Sequence, residues 1–162
     1  MKIRKGWSSH FPVLIKTIRI TYGPILEIGT GLYSTPLIHW MCFDKKRPIV
    51  SCEHDPKYYK YSKQFSDTFH EICFIDDWSK FDIRAYWDIV FIDCDSGARW
   101  GLAEKLCNNS QYIILHDTDP KLNNEYHYDK IFPLFKYRYD YIKASPNTSI
   151  VSNFNNVSNF MD

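Results

Sequence analysis

Apolar residues along this chain gather in short runs separated by longer stretches of mixed polarity. Five such runs come first, at residues 25–28, 48–52, 71–75, 87–93 and 112–115. They are rich in Ile and Val and do not alternate, which is the pattern of parallel strands covered on both faces. The intervening segments carry helix signals. Ser34 or Thr35 can cap a helix over 36–46, with Pro36 tolerated in its first turn. Asp55 followed by Pro56 opens a helix that the pattern extends to about residue 69, with Tyr58, Tyr61, Phe65 and Phe69 on one face. Ser96–Gly97 opens a helix over 98–108, Asn123 or Asn124 opens one through 135, and Ser8 or Ser9 caps one over 11–22.

The tail changes character. Residues 137–144 and 148–154 flank Ser145-Pro146-Asn147, a turn sequence, and read as an antiparallel hairpin at a sheet edge. Strands and helices in alternation followed by a hairpin predict an α/β fold, a doubly wound, Rossmann-like sheet of seven strands, mostly parallel. One domain over 1–162 is expected: an N-terminal helical segment (1–23), a core (24–119), and a helix with the terminal hairpin (120–162). Ligands in such sheets bind beyond the carboxyl ends of the strands.

Composition narrows the function classes. A net charge of +1 gives no field that would draw the protein to nucleic acid or a membrane surface. The short clusters Lys2–Arg4–Lys5 and Lys45–Lys46–Arg47 read as solvated. Aromatic residues are abundant at 17%; a large aromatic core is the first explanation, a ring-lined pocket or subunit contact the second. The five cysteines form no CxxC pair and lie beside apolar runs, as reduced buried thiols do. With no signal-peptide pattern and no run of transmembrane length, a cytoplasmic protein is expected, and the Asn-x-Ser/Thr matches at Asn108, Asn147 and Asn156 are read as chance.

The chemistry-bearing residues cluster at strand ends. Glu27-x-Gly29-x-Gly31 closes the first apolar run and leads into a helix start, a tight turn that lets backbone approach a nucleotide. Glu53 ends the second run, where an acid can accept both ribose hydroxyls of an adenosine. Asp76 and Asp77 follow the third run and can accept from an adenine amino group, with Trp78 able to stack on the ring. Asp93 closes the fourth run. Each residue has a plainer reading, since lone Gly-x-Gly turns are common and acids at strand ends often cap helices. Their shared register favours the ligand reading.

Glu27-x-Gly29-x-Gly31, Glu53, Asp77 and Asp93 together resemble the ordered motifs of class I S-adenosylmethionine-dependent methyltransferases, over about residues 8–155. Phe91-Ile92-Asp93 and His116-Asp117 resemble small-molecule O-methyltransferases. Ser8-Ser9-His10-x-Pro12, Tyr33-Ser34-Thr35-Pro36, Asp77-Trp78 and Ser145-Pro146-Asn147-Thr148 are similar to short methyltransferase-like proteins of phages and bacteria. The resemblance implies S-adenosylmethionine held by Glu27, Gly29, Gly31, Tyr33, Ser34, Glu53, Asp77, Trp78 and Asp93. It implies His116, Asp93 or Asp117 as the base for an oxygen acceptor, with a satisfied strand-end histidine the plainer reading of His116. Arg99 and Trp100, after the fourth run, and His10 are candidate substrate contacts, with a solvated Arg and a packed Trp the simpler readings. The acceptor that the resemblance implies is a small molecule or a glycan, and a homo-oligomer would help complete so short a chain's acceptor site.

The pattern departs from these relatives in two places. Tyr33 stands where many carry a third glycine, so its ring either closes the cofactor pocket or reshapes its rim. Asp93 and Asp117, with Asp95 or Asp119, offer oxygens for Mg²⁺. However, no Asn follows Asp117 and Cys94-Asp95-Ser96 replaces the usual Gly-x-His, so no metal is assigned. The absence of Asn/Asp-Pro-Pro-aromatic after the fourth run argues against a base-modifying N-methyltransferase. Two alternatives stand: a degenerate methyltransferase fold acting as a binding or scaffold protein, and an NAD-binding oxidoreductase fragment suggested by Gly29-x-Gly31-x-x-Ser34 with Glu53.

Overall fold

In a computed structural model, which describes residues 6–81 and 85–161 (Ser96 by its backbone alone), the five apolar runs form the centre of one sheet. The strands are β1 (Ile25–Ile28), β2 (Ile49–Glu53), β3 (His70–Phe74), β4 (Trp87–Ile92), β5 (Ser110–His116), β6 (Tyr137–Tyr141) and β7 (Thr148–Ser152). They lie in the order β3-β2-β1-β4-β5-β7-β6. The first five pair in parallel, while β7 runs antiparallel to both β5 and β6. This is the expected seven-stranded sheet with its terminal hairpin. β1 lies between β2 and β4, so the glycine turn opens at the point where the strand order reverses.

The helices are α1 (Phe11–Ile20), α2 (Ser34–Cys42), α3 (Pro56–Ser62), α4 (Ser96–Leu106), α5 (Asn123–Tyr126) and α6 (Tyr128–Ile131). Alternation along each strand sorts the core into two layers. Ile25, Ile89, Phe91 and Ile114 pack with Val13, Leu14 and Ile18 of α1 and Ile38 and Cys42 of α2. Leu26, Ile28, Val90, Ile92 and Leu115 pack with Leu102, Ala103 and Leu106 of α4 and with Tyr128 and Ile131 of α6. Each buried Leu, Ile or Phe contributes about 1.5–3 kcal/mol of transfer free energy, so both layers are well anchored.

Several local expectations are corrected. The helix expected to reach residue 69 stops at Ser62 and continues only as a 3₁₀ turn over Lys63–Phe65. Beyond it Ser66 is extended, Asp67 and His70 exchange backbone hydrogen bonds, and Asp67 Oδ1 accepts from the Thr68 amide. These turn bonds compete with helix and win, although Phe65 and Phe69 are buried as their spacing suggested. The helix expected over 123–135 splits at His127, which is left-handed (φ 57°). Neither Ser8 nor Ser9 caps α1, whose N-cap is His10, and α2 begins at Ser34 behind an uncapped Tyr33. Asp55 does cap α3, accepting from the Lys57 and Tyr58 amides.

The basic cluster at 45–47 is not uniformly solvated: Arg47 is buried and donates to the carbonyls of Ile18, Thr21 and Gly23, tying the exit of α1 to the sheet. Lys2, Arg4 and Lys5 lie outside the described residues. All five cysteines are free, four of them buried and Cys73 half-buried. Large aromatics divide between the core (Phe91, Trp87, Tyr112) and the surface (Tyr22, Trp40, Phe154). No helix among the described residues is long and apolar enough to cross a membrane.

Candidate functional site

The carboxyl ends of β1, β2, β4 and β5 surround a cavity of about 320 Å³. Gly29, Gly31, Tyr33 and Ser34 from the first turn line it, with Glu53 from β2, Asp93 after β4, and His116 and Asp117 at the end of β5. His10, just ahead of α1, lines it too, with its ring 4.8 Å from that of His116. One space thus collects residues spread across more than a hundred positions.

The first turn is held by its own backbone requirements. Gly29 has φ +88°, and a Cβ there would overlap the carbonyl of Asp93 and the amide of Cys94. Its close approach is to the exit of β4. Gly31 is different: a Cβ would meet Ser34 Oγ at 3.3 Å and the Tyr33 amide nitrogen at 4.0 Å, and Gly31 lines the cavity.

Glu27 does not line this space. It is fully buried on the α2 side of β1, where Oε1 accepts from Thr35 Oγ1 at 3.1 Å and Oε2 from Ser51 Oγ at 2.6 Å. Thr35 Oγ1 in turn accepts from the Gly31 amide at 3.0 Å. Glu27 therefore braces the turn from beneath, correcting its assignment as a cofactor contact. A chain of polar groups continues from Ser51 to His70 Nε2 (2.8 Å) and from His70 Nδ1 to His39 Nδ1 (3.1 Å). Burial pushes the Glu27 carboxyl up to about 7 against the lowering effect of its hydroxyl donors, and pushes His70 down to about 4, helped by His39.

Glu53 faces the cavity with its oxygens already engaged. Oε2 accepts from the Thr30 amide (2.7 Å) and hydroxyl (3.0 Å), and Oε1 from the amides of His54 and Asp55, both at 2.8 Å. A carboxylate offers about four acceptor positions, so any hydroxyl that binds Glu53 must displace one of these donors.

At the far end, Asp93, His116, Asp117 and Arg99 form a compact charge cluster. His116 Nδ1 lies 3.1 Å from Asp93 Oδ2 and 3.6 Å from Asp117 Oδ1, and its Nε2 is 2.9 Å from Ser9 Oγ. Burial alone would lower the His116 pKa, but the Asp93 charge and hydrogen bond, with Asp117, raise it above the ordinary imidazole value. Burial works to raise Asp93, and His116 and Arg99 outweigh it, so that carboxylate sits low. Asp117 goes the other way: burial, with the Asp93 charge, raises it. Asp117 is also left-handed (φ 61°), an uncommon backbone that Asp tolerates and that places its carboxylate beside His116.

Arg99 was expected to touch substrate, but only 2% of its side chain is exposed. It donates to the carbonyls of Cys94 (2.8 Å) and His116 (2.6 Å), to Tyr128 Oη (2.9 Å) and to Asp93 Oδ1 (3.2 Å). Its role is to fix the exits of β4 and β5. Trp100 lines neither this cavity nor its neighbour; it is 39% exposed and carries the Lys130 ammonium over its ring.

Asp77 and Trp78 line a second cavity of about 460 Å³, between the segment after β3 and α4. The two spaces share Asp95 on their walls. His54 marks the same boundary: its Nε2 is 3.3 Å from Asp95 Oδ2 and its ring lies 5.9 Å from that of Trp78. Sequence reasoning missed Thr30, His54 and Tyr128. The Gly-Thr-Gly turn and the His beside Glu53 were visible signals for the first two; nothing local marks Tyr128.

No family model matches the sequence, and no curated protein matches it. Solved structures match it throughout. TomG, an O-methyltransferase of tomaymycin synthesis from Streptomyces achromogenes solved with SAM, is 15% identical, with a TM-score of 0.63 over 88% of this chain and 78% of that one. The chain has the class I methyltransferase fold. Human methyltransferase-like protein 13, solved with SAH, is 16% identical, with a TM-score of 0.65 over 90% and 82%. A spermidine synthase in complex with AdoDATO is 15% identical, with a TM-score of 0.66 over 98% and 63%. The same fold therefore serves proteins with different names and reactions, and the chemistry of this chain has to be argued from its own cleft.

Proposed function

We propose that the chain binds S-adenosylmethionine across the β1 turn and transfers methyl to an oxygen of a small molecule or glycan. The observation that carries this reading is the single cavity in which Gly31, Glu53, Asp93 and His116 meet. The donor set fits an adenosyl group: a glycine on the cavity wall, an acid at the β2 end, and a second cavity with Asp77 and the Trp78 ring beside it. When bound, the cofactor supplies an electrophilic methyl group on a sulfonium.

The protein's own work is alignment and proton removal. His116 donates from Nδ1 to Asp93 and lies beside Asp117, and the Asp117 carboxylate, which lines the cavity, accepts the acceptor hydroxyl's proton as its oxygen takes the methyl. Arg99 fixes Asp93 from behind. TomG, named an O-methyltransferase, supports an oxygen acceptor by analogy of fold. The site is made wholly within one chain, so a homo-oligomer would add walls to it and no core group.

A second reading, a binding or scaffold protein without turnover, is favoured by Glu53, whose acceptor positions are all filled from within the protein. Thermal shift with S-adenosylhomocysteine, S-adenosylmethionine and NAD side by side separates the readings. Stabilisation by the first two that vanishes in Glu53→Ala supports the cofactor assignment, and methyl release to an acceptor then separates enzyme from binding protein. A shift with NAD alone turns the assignment to an oxidoreductase fragment, and none at near-millimolar ligand leaves the scaffold.

A further inference from the structure

His10 is 1% exposed, and neither of its ring nitrogens has a hydrogen-bond partner among the described residues. Leaving polar atoms dry costs a folded protein about 1–3 kcal/mol, so such a residue calls for an explanation. Packing does not supply one. The ring sits 4.9 Å from Phe91, 5.2 Å from Phe11 and 4.8 Å from His116, contacts that a phenyl ring would make without an unsatisfied nitrogen. What distinguishes an imidazole is its lone pair. That lone pair is unengaged, since neither ring nitrogen meets a hydrogen-bond partner among the described residues.

One ligand atom each from His10, Asp93 and His116 lie within 4.8 Å of one another. We propose that these three side chains form a binding site for a divalent transition-metal ion, with two imidazoles and one carboxylate as its protein ligands. Two separations already suit a common ion. His116 Nδ1 is 3.1 Å from Asp93 Oδ2 and 3.6 Å from Asp117 Oδ1. Ligands about 2.0–2.1 Å from a tetrahedral Zn²⁺ lie about 3.3 Å apart, so closing the set draws the His10 ring in by up to roughly 1.5 Å. Asp117 Oδ1, 3.6 Å from His116 Nδ1, is within reach as a fourth ligand.

The outer contacts are those a metal site needs. With Nδ1 on the ion, the proton of His116 sits on Nε2 and is donated to Ser9 Oγ at 2.9 Å, which fixes the tautomer and the ring plane. Arg99 holds the Asp93 carboxylate from the other side at 3.2 Å. Two nitrogen donors select the metal class: imidazole suits Zn²⁺, Co²⁺, Ni²⁺ or Fe²⁺, whereas Mg²⁺ takes oxygen ligands. The site differs in donors and metal from the all-carboxylate Mg²⁺ set considered for Asp93 and Asp117. The open side of the ion faces the cavity lined by Gly31 and Tyr33, where an oxygen-bearing ligand could share it.

The inference is independent of methyl transfer and is tested without cofactor or acceptor. Metal-free protein is titrated with Co²⁺, followed by its visible d–d bands, and with Zn²⁺ by calorimetry, in the wild type, His10→Phe, Asp93→Asn and Ser9→Ala. The expected result is one ion per chain, at least about 100-fold weaker binding in His10→Phe and Asp93→Asn, and about tenfold weaker in Ser9→Ala. His10→Phe keeps the ring packing, and its unfolding temperature without metal should match or exceed that of the wild type. It should also lose the rise that Zn²⁺ gives the wild type. No stoichiometric binding, equal binding by His10→Phe, cobalt bands of thiolate type, or full competition by Mg²⁺ would each overturn the proposal.

Discussion

Replacing Glu27 by Gln should make the protein more stable at neutral pH and flatten its pH dependence. In the native protein the carboxyl is fully buried and its pKa is raised from 4.5 to about 7, chiefly by burial. The folded state therefore binds this proton more tightly than the unfolded chain does. The associated stability is whole below pH 4.5, declines as the pH rises, and is gone above 7. At about 1.4 kcal/mol per unit of pKa, the full loss is about 3 kcal/mol, of which about 2–3 kcal/mol falls between pH 5 and 8. Gln keeps the shape and can satisfy every neighbour. Its oxygen accepts from Thr35, and its amide donates to Ser51, whose hydroxyl then turns to His70. Urea unfolding of both proteins at several pH values from 5 to 8 gives the comparison. The difference in unfolding free energy should grow in favour of the variant by about 2–3 kcal/mol across that range. Parallel profiles would refute the reasoning, because they would mean that Glu27 stays ionised in the folded state without penalty.

Two further outcomes follow from the charge cluster. Arg99→Met should cost about 3–5 kcal/mol in urea unfolding, because it strands the buried carbonyls and the Asp93 carboxylate that the guanidinium now satisfies. The His116 ring, followed by NMR, should titrate above the ordinary imidazole value, and in Asp93→Asn its pKa should fall, because burial is then no longer outweighed.

How far the sequence alone reached depended on whether a feature is local. The parallel strands were legible because burial on both faces leaves continuous runs of Ile and Val, and Asp55-Pro56 marked a helix start by its own chemistry. The end of α3 was not legible. Phe65 and Phe69 keep helical spacing while Ser66, Asp67 and Thr68 turn the backbone by side-chain bonds that periodicity does not register. The break at His127 is similar: it brings Tyr128 under Arg99 and the His116 carbonyl, a tertiary demand. In the site, the strand-end positions of Glu53, Asp93 and His116 were readable, but their partners were not. Arg99 read as a substrate contact from its place after the fourth strand; its four acceptors come from three separate segments that the sequence does not join. Glu27 looked like a ligand contact because it is close in sequence to the turn, yet strand alternation sends it to the opposite face of the sheet from Leu26 and Ile28.

A crystal structure grown with saturating S-adenosylhomocysteine tests the central proposal most directly. The expected result is the ligand lying along the β1 turn, with its ribose hydroxyls on Glu53 in place of the Thr30 hydroxyl, its adenine beside Trp78 and its sulfur facing the Asp93–His116 end. An empty cleft with Glu53 still bonded to Thr30, or a ligand seated elsewhere, would contradict it.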